Sequence, residues 1–240
     1  MLTRARPAAR RQHQRGAAAR GDGGDRFGRR GGEPVIRLAL PKGRNLDPTL
    51  DGLRAAGLEL SGLNGRRLRQ AFPGEGVEVL LLKDWDLPLY VEQGIADCGV
   101  VGTDVLEEMG SDLLVPLRFT SGRCRMSLIG PRPEPPQPGD QIRVATKYPR
   151  WSERLLRSRP WGVEIFKLSG SVELGPLLAL SEVAVDIVQT GTTIREHKLH
   201  EIEVLAEIAP SLVVNRASYQ RHRTALNGLF RRLEAAGVVG

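Results

Sequence analysis

Ser171-Val-Glu173 and Asp186-Ile-Val-Gln-Thr190-Gly-Thr-Thr193 gather hydroxyls, carboxylates and a glycine into two short stretches. That combination suits the binding of a phosphate. Residues 184–188 are apolar and largely β-branched apart from Asp186, which predicts a buried parallel strand ending just before Thr190. The strand would deliver the chain into a turn where Gly191 removes a Cβ from the path of a ligand. Thr190, Thr192 and Thr193 offer hydroxyl donors there, and a helix beginning at residues 194–197 would aim free N–H groups at an anion. Asp186 cannot face an apolar core unpaired and is suited to accept hydrogen bonds from ribose hydroxyls. Glu173 is a second candidate for a ribose or metal contact. Together the stretches point to a phosphoribosyl diphosphate site. The loop by itself leaves open a plain helix-capping turn with Asp186 as a structural carboxylate.

A second loop, the basic Pro41-Lys42-Gly43-Arg44, follows an apolar strand and places two cations where they can meet phosphate oxygens. A solvated strand-to-helix turn is the alternative there. Nothing in the chain suggests a nucleophile or a metal cage. His13, His197, His200 and His222 are scattered, and Cys98 and Cys124 have no ligand spacing, so free buried thiols are expected.

Short apolar runs at 35–40, 77–82, 97–101, 142–146, 163–168 and 184–188 alternate with amphipathic stretches, which predicts α/β architecture. Helices are expected at 45–56, 87–93, 105–109, 152–159, 172–181 and 218–236. The last would carry Leu226, Leu229, Phe230 and Leu233 on one face for core or subunit packing. Residues 130–139 hold five prolines and must form a loop or linker. Asp86 and Asp97 sit where a helix begins and where a strand starts after a turn, and read as capping or structural acids.

The chain has 240 residues, 40% of them hydrophobic, and a formal net charge of +7. Residues 1–33 hold nine Arg against three acidic residues, leaving 26 basic against 25 acidic in the remainder. The basic character therefore belongs to the first segment, and the near-neutral body is no nucleic-acid platform. Residues 1–33 lack periodic apolar residues and are expected to be disordered. An RNA-binding arm, a transit peptide, a dispensable extension and a start placed too far upstream are the readings of this tail. No apolar run approaches the roughly 20 residues needed to span a bilayer, and no secretory core is present, so a cytoplasmic protein is expected.

The sequence resembles the short form of the ATP phosphoribosyltransferase family, the first enzyme of histidine biosynthesis. The resemblance runs through residues 36–44, 86–94, 96–104, 123–126, 143–149, 171–193 and 213–219. It departs at Lys83, where the family usually has arginine, at Gln189 and at 118–121. Lys83 keeps the charge without the bidentate fork. The resemblance implies a two-lobed fold like the type II periplasmic binding proteins, with the active site in the inter-lobe cleft. One lobe would take 34–121 plus 211–240, the other 122–210. It implies joining N1 of the ATP adenine to C1 of phosphoribosyl diphosphate. Glu173, Asp186, Thr190, Gly191, Thr192 and Thr193 would hold the phosphoribosyl diphosphate. Lys42, Arg44, Lys83, Asp104 and Arg125 would hold ATP, the last three by resemblance alone.

Adenine N1 already carries a lone pair, so this reaction needs no basic nucleophile activator, which accounts for the lack of a catalytic His or Cys. It needs two large anions aligned, with Mg²⁺ carried mainly on the substrate phosphates. The chain ends soon after Tyr219, which leaves no space for the C-terminal regulatory domain of the long form. The short form then implies a separate regulatory subunit similar to histidyl-tRNA synthetase, in a hetero-octamer through which histidine inhibits. A non-catalytic small-molecule-binding protein of the same two-lobed fold is the rival reading.

Overall fold

The computed structural model describes residues 36–43, 45–63 and 67–240. The tail at 1–33 and Arg44 lie outside the described residues. Residues 34–240 form one compact unit built around two sheets.

The first sheet begins with β1 (Ile36–Pro41), whose sequence, apolar apart from Arg37, is buried along nearly its whole length, as a strand covered on both faces requires. Helix α1 (Leu46–Ala55), strand β2 (Arg69–Phe72) and a single 3₁₀ turn precede β3 (Val77–Leu82). Then come α2 (Leu87–Glu92), β4 (Cys98–Gly102), α3 (Thr103–Met109) and β5 (Leu114–Arg118). The second sheet and the helices between its strands follow as β6 (Cys124–Gly130), β7 (Gln141–Thr146), α4 (Pro149–Leu156), β8 (Gly162–Lys167), α5 (Leu174–Leu177), β9 (Val183–Val188), α6 (Thr192–Glu196) and β10 (His200–Ile208). The chain then returns through β11 (Pro210–Val214) and the helices α7 (Arg216–Arg221) and α8 (Arg223–Ala235).

The first sheet has the order β2-β3-β1-β4-β11-β5, and the second β10-β6-β9-β7-β8. β1 runs parallel to β3 and β4, and β7 runs parallel to β8 and β9, while β11 lies antiparallel between β4 and β5. Each sheet has apolar clusters on both faces. α1 and α8 bury Leu53, Leu226, Leu229 and Leu233 against Leu38, Val79 and Leu212. On the opposite face, Leu87, Val91 and Val105 pack on Ala39, Val101 and Val213.

Several elements differ from the sequence reading. The helix expected at 172–181 is one turn, because Ala179 takes a left-handed φ of 56° that ends helical geometry. The helix expected at 218–236 is two helices meeting at His222. α4 runs from Pro149 rather than Ser152, since a proline at the first helical position needs no N–H partner. Strands β2, β5, β6, β10 and β11 were not expected. All five pair antiparallel at or next to sheet edges, and in β2, β5, β6 and β10 charged and polar residues break the apolar run that marks a central parallel strand.

Candidate functional site

A cavity of about 240 Å³ lies between the two sheets. Pro41 and Gly102, at the ends of β1 and β4, line it from one side, and Cys124, Ile187 and Gln189 from the other. Ligands of open α/β sheets collect at such carboxyl ends, where strands stop and loops converge. Three further lining residues are Asp104, in the first turn of α3, Trp85, in the loop after β3, and Tyr148, just before α4. The Tyr148 hydroxyl donates to Asp104 Oδ2 at 3.0 Å. A Cβ on Gly102 would fall 2.1 Å from Asp104 Oδ1, so glycine is what lets this carboxylate fold back over the strand end.

Burial pushes the Asp104 carboxyl above its usual range, and the bonds from Tyr148 and from the amides of its own helix offset this only in part. Burial, followed by the charge of Asp104, pushes the Tyr148 phenol far up, with Asp186 adding to the effect. Tyr148 is therefore a neutral donor at physiological pH. Its ring stacks on Trp85 with centroids 5.5 Å apart, and Lys147 Nζ stands 5.0 Å from the Trp85 ring centroid.

Along β9 the cavity adjoins the hydroxyl loop. Val172, after β8, packs with Val188 and Ile194, which flank that loop, and with Ala145 of β7. One apolar cluster thus holds the Ser171–Glu173 and Thr190–Thr193 stretches to the same end of the second sheet. Gly191 takes φ of 72°, which a side chain would strain. The Thr190 and Thr192 hydroxyls lie 3.0 Å apart, and Arg195 reaches back to the Thr190 carbonyl at 3.1 Å and the Thr192 hydroxyl at 3.3 Å. Thr190, Thr192 and Thr193 are exposed, and Ser171 has a left-handed φ of 47°. Glu173 is half-buried at the start of α5, and Asp186 is half-buried on β9, in register with Ser127 of β6.

The remaining sequence-predicted residues lie elsewhere. Lys42 and Lys83 are exposed on neighbouring loops, and neither lines the cavity. Arg125 pairs with Glu201, with Nη2 donating to Oε2 at 2.6 Å, and its Nη1 lies 3.4 Å from the Gln189 carbonyl. Asp86 occupies the cap position of α2 without a side-chain cap bond. Asp97 is fully buried in a bonded cluster described below.

Sequence reasoning missed Trp85, Lys147, Tyr148 and Arg195. The basic residue four positions beyond Gly191 was a usable signal for Arg195, whereas nothing local marks Trp85 or Tyr148, which meet across the two sheets. Among the described residues no group of three His, Cys, Asp or Glu side chains is arranged to hold a metal ion.

The HisG family model, described as ATP phosphoribosyltransferase, matches residues 83–235. The chain is 45% identical over 196 residues to an ATP phosphoribosyltransferase of Thermococcus gammatolerans, covering 81% of this chain and 94% of that one. It is 43% identical over 199 residues to one from Thermus thermophilus, covering 83% and 95%. Among solved structures it is similar to a chain of the ATP phosphoribosyl transferase (HisG:HisZ) complex from Thermotoga maritima, with a TM-score of 0.71, 31% identity and coverage of 84% and 97%. The periplasmic aliphatic sulphonate binding protein SsuA from Escherichia coli shares the fold alone, with a TM-score of 0.55, 11% identity and coverage of 84% and 72%.

Proposed function

This chain belongs to the ATP phosphoribosyltransferase family, and we propose that it joins N1 of the ATP adenine to C1 of 5-phosphoribosyl 1-diphosphate, releasing pyrophosphate as the first step of histidine biosynthesis. The observation that carries this reading is the continuity of two sites along β9. The hydroxyl loop at 190–193 suits a 5-phosphate, and the adjoining cavity, lined by Trp85, Asp104 and Tyr148, suits a nucleotide.

The threonine hydroxyls and loop amides bind the phosphate, Arg195 adds a positive charge beside them, and Asp186 and Glu173 accept from the ribose hydroxyls. Adenine N1 attacks C1 as the bond to diphosphate breaks, so the protein aligns the two reactants and stabilises an oxocarbenium-like centre. No proton need be removed from the nucleophile. Tyr148 and Asp104 orient the nucleotide from the opposite wall. Mg²⁺ would be held chiefly by the substrates' phosphate oxygens, with Glu173 as a candidate protein ligand, and would supply charge neutralisation at the leaving diphosphate.

The protein acts in the cytoplasm with a regulatory subunit similar to histidyl-tRNA synthetase, in a hetero-octamer. The likeness to a chain of the HisG:HisZ complex supports that partner. No helix among the described residues is long and apolar enough to cross a membrane.

The test is to mix the purified protein with ATP, phosphoribosyl diphosphate and Mg²⁺, with and without the regulatory subunit, and to follow phosphoribosyl-ATP and pyrophosphate. Formation of both in equal amounts is expected. No product under either condition would return the reading to a binding protein of the same fold.

A further inference from the structure

Helix α4 supplies no side-chain cap of its own, since Tyr148 at its cap position makes no such bond. Its first amides are instead bonded from the other sheet: Arg150 N donates to Glu108 Oε1 at 3.3 Å and Trp151 N to Glu108 Oε2 at 2.9 Å. The contact is reciprocal. Arg154 Nη2 donates to the Glu107 carbonyl at 2.6 Å and to Glu107 Oε2 at 2.8 Å, while Arg150 Nη1 reaches the Met109 carbonyl at 3.4 Å. Thus an acid from the end of α3 meets the positive end of α4, and two arginines of α4 meet the negative end of α3.

Glu108 is 7% exposed and does not line the cavity. Burying a carboxylate is unfavourable unless bonded donors offset it, and an apolar residue would pack there more simply. What the carboxylate adds is direction, because its two oxygens fix where α4 begins. The two residues just before α4 are Lys147 and Tyr148, which line the cavity and meet Trp85 and Asp104.

We propose that Glu108 is a positioning residue for nucleotide use: by capping α4 across the two sheets it sets Lys147 and Tyr148 against Trp85 and Asp104. The inference rests on reading the cavity as the nucleotide site. Glu108 touches no substrate and acts through Tyr148.

The experiment compares Glu108→Ala, Glu108→Gln, Tyr148→Phe and the Glu108→Ala/Tyr148→Phe double variant, each with the regulatory subunit present. It uses steady-state kinetics and peptide-level hydrogen exchange. Misplacing a cleft group by about 1 Å costs roughly a hundredfold in rate, so Glu108→Ala should lower kcat/KM for ATP by up to about that factor. Glu108→Gln, which keeps one acceptor, should fall between wild type and Ala. The effects of Glu108→Ala and Tyr148→Phe should be less than additive. Exchange should quicken in peptides covering 103–109 and 147–156 while both sheets keep their protection.

An unchanged kcat/KM, strictly additive losses, or exchange that rises across both sheets alike would overturn the proposal. Should the wild-type protein make no phosphoribosyl-ATP, the functional reading fails separately, and exchange decides for the cap. Release confined to the two helices in both Glu108 variants supports it, and unaltered protection of α4 overturns it.

Discussion

Asp97 and Asp104 are both buried acids, seven positions apart, one just before β4 and the other in the first turn of α3 after it, yet they sit in opposite surroundings. Asp97 accepts from the Arg37 amide at 2.9 Å, from the Arg37 guanidinium at 3.1 Å on each oxygen, and from the Ser218 hydroxyl at 2.7 Å. Burial alone would push its carboxyl up, but these donors from Arg37 and Ser218 more than offset it and hold it below the usual range. Asp104 has Tyr148 and the amides of its own helix, and burial wins. A buried carboxylate surrounded by donors fastens α7 to the strand ends. One left short of donors at a cavity wall is available to a ligand.

Breaking the first site should have the largest effect on folding. Asp97→Ala strands Arg37 and Ser218, and removing one partner of such a pair is expected to lower stability by about 3 kcal/mol, measured by urea unfolding. Its cleft activity, per folded molecule, should change little.

Asp104→Asn should do the reverse. It removes an unfavourable buried charge, so the urea midpoint should hold or rise. Losing a charge-assisted hydrogen bond of about 1.5–3 kcal/mol should lower kcat/KM for ATP roughly 10- to 100-fold. A large fall in stability would erase the distinction between the two acids.

The hydroxyl loop at 190–193 and Asp186 sharpen the comparison further. Asp186→Ala and Thr193→Val should each raise KM for phosphoribosyl diphosphate about tenfold, the loss of one hydrogen bond to an anion or sugar, with KM for ATP nearly unchanged. Wild-type kinetics in both variants would refute the assignment of this loop.

The smallest difference should appear in the pH dependence of stability. The Asp97 contribution is present above the ordinary carboxylate pKa of about 4 and is lost as pH falls through its depressed folded value. Asp104 has the opposite sign: the folded state holds its proton more tightly, so its favourable contribution is present at low pH and is lost as pH rises from about 4 through its raised value. Urea midpoints measured from pH 3 to 7 should therefore show the Asp104→Asn variant gaining on wild type as pH rises.

Much of the hydroxyl loop was legible in the sequence because its parts are local. An apolar β-branched run, a glycine and three threonines lie within ten residues, and the observed strand ends at Val188, where the periodicity placed it. The α/β alternation was legible for the same reason, since β1, β3, β7 and β9 are short, mainly apolar runs, each with at least one charged residue, bounded by turns. The edge strands were not, because β10, at one edge of its sheet, mixes charge with apolar residues and gains its pairing only from β6, some seventy residues earlier.

The sequence by itself determined the class of fold, the hydroxyl loop and the family, all of which depend on short-range periodicity and on residue types at fixed spacing. Only the tertiary structure decided that Arg125 turns to Glu201, that Asp97 rather than Asp104 is saturated with donors, and that Glu108 caps a helix of the other sheet. Each of those depends on which groups meet across chain separations of more than forty residues, and the energy of a carboxylate is set by those neighbours rather than by its place in the chain.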